Sequence, residues 1–444
     1  MIVLLINPNR LRPRVPPIGL DYLNDSLVRQ GHVVLLFDFG IQPPGKLINL
    51  IQTEDPDIIG ISVRNLDDVN LVRKREFVTP IKKLILSVRR VSNAKVVLGG
   101  IGFSFMPHAL MEETGADFGI VGDGESAFPR LLENLNTPGN VPGLLYKSNT
   151  GDVPVRQTEP FPCSVHELPV FQRSLVDYKK YRQKGGFFNI QTKRGCNHHC
   201  IYCPEPEITG RRIRTRPPES VIEELKILTS YGIRDRIFFV DSEFNIMRDH
   251  AHAVAEAIYD SGLQIRWCCS MTPANADLAL LQMMKKAGCN MIIWSVDSAS
   301  EKMLHRLGKG FSVSDMMNAT QYCNAIDLPY CLVLLFGGPG ESFRTIDESC
   351  RNLAGNRAGF IAVSAGIRIY PKTALYNISI EEHEISGATN LLYPVYYKHD
   401  RVKNDFLPYI GEKFLTLQNC VMHGRVPDGA LQKEINRVYP VYNH

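Results

Sequence analysis

The sequence has almost no charge imbalance: 50 Lys+Arg stand against 46 Asp+Glu, a net of +4 over 444 residues. Composition therefore does not demand a nucleic-acid partner, which needs a basic face. Long apolar runs are also missing. No uncharged stretch approaches the roughly 20 residues that span a bilayer. There is no internal repeat and no low-complexity tract. The eleven cysteines are too few and too unevenly spaced for a disulfide scaffold. The opening MIVLLINPNRLRP lacks a basic region and a small-residue cleavage site, so it predicts a strand and not a signal peptide. The expected location is the cytoplasm, where thiols stay reduced and available as metal ligands. What is present is ordinary for a folded chain: 44% hydrophobic and 22% charged residues. The length suggests two or three domains.

Short apolar runs alternate with amphipathic ones in βαβα order through the first 140 residues. Strands are expected at 2–6, 33–38, 58–62, 95–98 and 118–121, with helices at 18–30 and 78–91. This order predicts a doubly wound, Rossmann-like α/β sheet whose ligand sits beyond the carboxyl ends of the strands. The glycines at Gly99–Gly102 and Gly122–Gly124 end two of those strands. They either let a ligand approach closely or simply make tight turns. Residues 141–185, with Pro142, Pro154, Pro160, Pro162 and Pro169, are expected to be a linker. A second alternation over 186–384 gives about six β/α units, too few for an eight-unit barrel. A partial (β/α)6 barrel fits, followed by a small accessory region at 385–444.

The strongest signal is Cys196-Asn-His-His-Cys200-Ile-Tyr-Cys203, directly after an expected strand. Three thiolates within eight residues can wrap one face of a [4Fe–4S] cube, leaving one iron for a small chelating molecule. Zinc is the rival reading, with His198 or His199 as fourth ligand, although no second cysteine pair follows at structural-zinc spacing. Both histidines are otherwise expected to face solvent. Cys268 and Cys269, adjacent in a strand, put one thiol on each face; the inward one is a candidate for lining a substrate cavity. The remaining cysteines outside the loop, and Trp267 and Trp294, are expected to pack in cores.

The cysteine loop, with Arg194-Gly195 before it and Tyr202 inside it, resembles the signature of the radical S-adenosylmethionine (SAM) superfamily. The resemblance continues through Phe239-Val-Asp241-Ser-Glu243-Phe244, Ile293-Trp-Ser295-Val-Asp297-Ser298, Lys309-Gly310, Phe336-Gly-Gly338-Pro-Gly340-Glu341 and Arg368-Ile-Tyr-Pro371. It implies a [4Fe–4S] cluster on Cys196, Cys200 and Cys203, and SAM contacts from Tyr202, Asp241, Glu243, Ser270, Asp297, Gly338 and Arg368. Two departures stand out. The ribose-binding acid is Asp297 where the family has Glu, and the third barrel strand ends Ser270-Met-Thr272 where many relatives carry Arg. Another cation must then meet the SAM carboxylate.

The first half resembles the cobalamin-binding domain fused to many of these enzymes, through Pro17-Ile-Gly19-Leu-Asp-Tyr22-Leu23, Ile59-Gly60-Ile-Ser62, Val97-Leu-Gly99-Gly100 and Gly122-Asp-Gly124-Glu125. The implied cobalamin contacts are Ser62, Arg64, Asn65, Gly99, Gly100, Gly122, Gly124 and Glu125. The DxHxxG pattern that supplies a histidine to cobalt is absent. The resemblance implies reductive cleavage of SAM and, with cobalamin, methylation of an unactivated carbon or phosphorus centre in a small molecule or peptide. An external donor such as a flavodoxin or ferredoxin would supply electrons. Rearrangement, oxidation or aminocarboxypropyl transfer with an empty cobalamin domain is the alternative. A non-catalytic zinc or Fe–S module is the remote one.

Overall fold

The computed structural model describes residues 1–147, 155–156, 171–397, 406–414 and 420–422. Pro154, Pro160, Pro162 and Pro169 lie outside the described residues. The chain divides into two units: unit 1 is Met1–Asp68, Arg75–Gly186 and Leu392–Pro394, and unit 2 is Val69–Lys74, Phe187–Leu391 and Val395–His444.

In unit 1, β1 (Ile2–Asn7), β2 (Val33–Asp38), β3 (Ile58–Ser62), β4 (Lys95–Gly99) and β5 (Phe118–Ile120) run parallel. β6 (Leu144–Tyr146) and β7 (Val155–Arg156) extend the sheet antiparallel, in the order β2-β1-β3-β4-β5-β6-β7. The connecting helices are α1 (Ile18–Arg29), α2 (Lys46–Glu54), α3 (Val78–Arg89), α4 (Ile101–Phe105), α5 (Pro107–Thr114) and α6 (Gly124–Glu133). The strand interiors are apolar because both faces are covered. Side chains alternate, so Val3 and Leu5 pack with Leu23 and Leu27 of α1 and Phe128 and Leu131 of α6. Leu4 and Ile6 pack with Leu47 and Ile51 of α2 and Ile81, Ile85 and Val88 of α3. Each such fully buried side chain adds roughly 1.5–3 kcal/mol. The expected doubly wound sheet is what forms.

The segment expected to be a linker contributes β6, β7 and α7 (Tyr178–Gln183) to unit 1. Its anchors are hydroxyl–carboxyl hydrogen bonds: Tyr178 donates to Asp21 at 2.6 Å and Tyr181 to Asp38 at 2.7 Å. Burial raises the pKa of both carboxyls against the pull of these bonds. Such short-range chemistry leaves no periodicity, which is why this segment reads as irregular.

Unit 2 begins with β8 (Phe188–Ile190) and a small hairpin of β9 (Lys193–Arg194) and β10 (Arg214–Thr215). Its parallel sheet continues with β11 (Ile237–Phe239), β12 (Trp267–Met271), β13 (Cys289–Asp297), β14 (Tyr330–Phe336) and β15 (Phe360–Ala365). A second pair, β16 (Ile367–Arg368) and β17 (Tyr396–Tyr397), is antiparallel. β18 (Cys420–Met422) adds to the far side of β15, so the order is β18-β15-β14-β13-β12-β11-β8. The helices are α8 (Glu205–Thr209), α9 (Pro218–Ser230), α10 (Arg248–Asp260), α11 (Leu278–Lys286), α12 (Glu301–Arg306), α13 (Val313–Ala325), α14 (Phe343–Leu353), α15 (Ala374–Glu381) and α16 (Phe406–Phe414). The six expected strands are present, and the accessory region supplies a seventh. Three residues are too few to show alternation, so β18 was not foreseen.

One face of this sheet is made of apolar side chains and thiols, including Cys268, Met291, Ile293, Cys331 and Phe360. Alternation turns Cys269 the other way, with Trp267, where Cys289 hydrogen-bonds its thiol. Both tryptophans are fully buried. Among the described residues, no helix is long and apolar enough to cross a membrane.

Candidate active site

The cysteine loop follows β8 and is pinned at two places by glycines. Gly195, at φ +101°, lies so close to the Arg212 carbonyl that a Cβ would stand 2.3 Å from it. Gly308, at φ +71°, approaches the His199 carbonyl equally closely. Between those contacts the Cys196 N–H donates to the Gly210 carbonyl at 3.0 Å, and the Ile201 N–H donates to the Leu307 carbonyl at 3.0 Å. Only a residue without a side chain tolerates both the positive φ and the approach. The loop is thus fixed against the turn that carries Lys309.

Cys196 is buried, Cys200 and Cys203 are half-buried, and all three are free. Burial pushes the Cys196 thiol up to about 11 and Cys203 to about 12, and it raises Cys200 as well. A thiol so placed needs a strongly positive centre to ionise. Among the described residues, no three His, Cys, Asp or Glu side chains are gathered closely enough to hold a single ion. Three thiols on one loop suit a cluster that leaves one iron open, whereas a structural zinc needs four closed ligands. His199 is exposed as expected. His198 is not: it is half-buried, its Nε2 lacks a hydrogen-bond partner among the described residues, and burial lowers its pKa, assisted by Lys309.

Around the loop, the carboxyl ends of the strands bring together Tyr202, Glu243, Asp297 and Lys309. Asp297 ends β13 in a left-handed conformation, φ +61°. Its Oδ2 accepts from the Tyr202 hydroxyl and from Lys309 Nζ, the latter at 2.8 Å. Burial pulls the Lys309 pKa down, but Asp297, the Cys200 thiolate and Glu243 more than reverse it, leaving the ammonium firmly charged. Glu243 is the uncommitted group. Ser295 hydrogen-bonds its carboxylate, yet Oε2 is buried with no partner among the described residues, and burial pushes its pKa up to about 8 despite Lys309. A buried acceptor without a donor is expensive. It fits an ammonium group arriving with a ligand, as the amino group of SAM would.

The other expected SAM residues lie in different settings. Asp241, after β11, accepts from the N–H groups of Thr192 and Lys193 and forms a buried ion pair with Lys193 Nζ at 2.8 Å. Lys193 also donates to the Phe244 carbonyl at 2.8 Å. Both carboxylate oxygens of Asp241 therefore hold β9 in place. Arg368 is buried and donates to the carbonyls of Ile369, Leu391 and Val395, so its guanidinium straps down the segment leading to β17. Ser270 is half-buried in β12, and its carbonyl accepts from the Phe244 N–H. Gly338 packs against Leu307, with room for no Cβ. Cys268 and Cys269 are both buried, and burial raises both thiols.

Sequence reasoning did not assign Lys309 or Glu205. The Glu205 carboxyl accepts from Ser242 at 3.2 Å, and the Glu205 N–H donates to Cys203. The signal for Lys309 was its place in Leu307-Gly-Lys309-Gly, where glycines flank a single cation.

In unit 1, Ser62, Arg64 and Asn65 line a cavity of about 380 Å³ at the ends of β1 and β3. Gly99, Gly122, Gly124 and Glu125 belong to the ends of β4 and β5 and the start of α6. Gly100 has φ +95°, and a Cβ there would meet the Val63 carbonyl at 2.8 Å, so the fold itself requires this glycine. Gly99 and Gly124 have no protein atom nearer than 3.8 Å and 4.0 Å to a Cβ position, leaving the strand ends bare. Such an uncovered edge fits a large flat ligand.

Two family models match separate parts of the chain. The Radical SAM superfamily matches residues 190–353, and the B12 binding domain matches residues 9–132. The tryptophan 2-C-methyltransferase of Streptomyces laurentii is 28% identical, over 84% of this chain and 73% of that one. The cytidylyl-2-hydroxyethylphosphonate methyltransferase of Streptomyces wedmorensis is 23% identical, over 78% of this chain and 75% of its own. The structure of the radical SAM methyltransferase TsrM from Kitasatospora setae, with cobalamin and a [4Fe–4S] cluster bound, superposes with a TM-score of 0.81 at 27% identity, covering 93% of this chain and 84% of that one. The chain carries a B12-binding domain over residues 9–132 ahead of a radical SAM domain over residues 190–353.

Proposed function

We propose that this protein is a cobalamin-dependent radical SAM methyltransferase acting on an unactivated carbon or phosphorus centre of a small molecule or peptide. The observation that carries the reading is the buried, partnerless Glu243 Oε2 beside the three-cysteine loop, Asp297 and Lys309. Relatives named for methylation of tryptophan at C2 and of a phosphonate nucleotide support the reaction class. When bound, the cluster and cobalamin supply electron transfer to SAM and methyl transfer, chemistry that side chains cannot perform.

The chain's own residues bind, orient and exclude. Cys196, Cys200 and Cys203 hold the cluster on a loop fixed by Gly195 and Gly308. Glu243 accepts the SAM ammonium group. Lys309 supplies the cation that the third strand lacks at Ser270 and meets the SAM carboxylate. Asp297, oriented by Tyr202 and Lys309, faces the ribose. The apolar strand face at Cys268 and Cys331 keeps water from the reacting centre. In unit 1, Ser62, Arg64, Asn65 and the bare Gly99 and Gly124 receive the corrin. Electrons come from an external donor of the flavodoxin or ferredoxin class.

The test is anaerobic incubation of the reconstituted protein with SAM, a reductant and cobalamin, followed by identification of the SAM-derived products. Deoxyadenosine and adenosylhomocysteine together are expected. Methylthioadenosine instead would replace methylation with aminocarboxypropyl transfer. Cys196→Ala is expected to abolish the brown iron–sulfur absorbance and all SAM cleavage; retained cleavage would overturn the assignment.

A further inference from the structure

The loop that carries Cys196, Cys200 and Cys203 is stitched to three other segments of unit 2 through backbone contacts. In the first, the Cys196 N–H donates to the Gly210 carbonyl, and Gly195 lies against the Arg212 carbonyl. In the second, the Ile201 N–H donates to the Leu307 carbonyl, and Gly308 meets the His199 carbonyl. In the third, the Leu375 N–H donates to the Ile201 carbonyl at 2.8 Å. Within the loop itself Asn197 and His199 are exposed, and Cys200 and Cys203 are only half-buried. The cysteine loop is thus part of the protein surface.

Each of the three segments brings a cation to solvent. Arg211 and Arg212 come from the first, Arg306 from the second and Lys372 from the third, and all four are exposed. Residues 195–199, 210–214, 305–310 and 372–377 contain no Asp or Glu. Arg211 donates to the His198 carbonyl at 3.3 Å and lies 3.5 Å from Glu207, an exposed acid. Among the described residues, Arg212, Arg306 and Lys372 make no side-chain hydrogen bond or ion pair. Exposed charges of this kind add little to stability. Grouped on one face, they create a positive potential that attracts an acidic partner and speeds its approach.

We propose that the exposed cations around the cysteine loop are the docking surface for the electron donor, an acidic one-electron carrier protein. The proposal rests on the reading of Cys196, Cys200 and Cys203 as the cluster site. The carrier gives up one electron and the cluster gains it; no bond forms or breaks and no proton moves. Electron transfer weakens steeply with the thickness of protein crossed. Asn197 adjoins Cys196 and His199 adjoins Cys200, so this face offers a short route inward.

The test uses the full-length chain with its cluster reconstituted and a bacterial flavodoxin as the acidic carrier. Affinity is measured by calorimetry with oxidised flavodoxin. Cluster reduction is followed as bleaching of the brown absorbance on mixing with reduced flavodoxin. The double variant Arg212→Glu/Lys372→Glu is expected to bind about tenfold or more weakly and to bleach correspondingly slower. Wild-type affinity is expected to fall as salt rises past about 0.15 M, where the screening length is about 8 Å. Arg266→Glu, the same charge change on an exposed residue just before β12, is expected to leave both readouts unchanged. Dithionite, which needs no docking, is expected to drive SAM cleavage equally in wild type and double variant. No flavodoxin binding by the wild type, or equal affinity in the double variant, would overturn the surface. So would an equal loss of dithionite-driven cleavage, which would place these residues in the fold or the SAM site. Binding of a short RNA duplex that depends on Arg212 and Lys372, without flavodoxin binding, would replace the carrier with nucleic acid. Absence of methylated product with binding and bleaching intact would strike the methyltransferase reading and leave this surface standing.

Discussion

The two units share a parallel-sheet plan but treat charge in opposite ways. Unit 2 buries complete ion pairs: Lys193 with Asp241, Arg216 with Glu224 and Lys309 with Asp297, at 2.8, 2.6 and 2.8 Å. Unit 1 buries carboxyls against tyrosine hydroxyls and keeps Lys82–Glu113 and Arg89–Asp117 at the surface. A buried pair is weak evidence for stability, because both ions were taken out of water. It is good evidence for geometry, since removing either partner strands the other. Unit 2 therefore uses buried ion pairs to hold its strand ends in one arrangement, whereas unit 1 anchors its connecting segment by tyrosine–carboxyl hydrogen bonds.

Four variants or conditions test that contrast, in descending order of effect. Lys309→Met strands Asp297 and removes the carboxylate partner; SAM affinity by calorimetry is expected to fall by a factor of at least about 30, roughly 2 kcal/mol or more. Lys309→Arg is expected to restore part of it, and unchanged affinity in the Met variant would break the contrast. Asp241→Asn leaves Lys193 charged and buried. Denaturant unfolding is expected to show a loss of about 3–5 kcal/mol, with SAM contacts affected only through the displaced loop.

The third test is pH. Burial pushes Glu243 up to about 8 and Glu341 up to about 7, against 4.5 in an unfolded chain. Between those values the folded, cofactor-free protein holds protons that the unfolded chain has released. The contribution of these two groups to stability therefore falls as pH rises from about 4.5 to 8 and levels off above. Glu243→Gln is expected to flatten the upper part of that slope, between about 7 and 8, in urea titrations across the range. The smallest effect belongs to unit 1: Lys82→Ala removes an exposed pair and is expected to leave the melting temperature unchanged.

What was legible in the sequence was what repeats or clusters locally. Short, continuous apolar runs gave the strands of both sheets, because both faces of each are covered. Three cysteines within eight residues gave the cluster loop. Residues whose role depends on a distant partner were not legible in the same way. Asp241 and Arg368 carry the right residue types for a SAM contact, yet Thr192, Lys193 and three backbone carbonyls engage them. Nothing in their own neighbourhood announces those partners. Lys309 becomes a site residue only because the turn at Leu307–Lys309 folds back onto the cysteine loop. The anchoring of residues 171–186 through Tyr178 and Tyr181 is hidden for the same reason, since Asp21 and Asp38 lie more than a hundred residues away.

Position 308 shows how narrow the tolerance is. A single methyl group there would overlap the His199 carbonyl and force the cysteine loop outward, carrying Cys200 with it. The separation of the three thiols is thus set in part by a side chain that is missing. Substitutions on the open strand face could reshape what the protein accepts without touching that distance. Substrate range and cofactor geometry can accordingly vary independently in this architecture, provided that one hydrogen atom stays where it is.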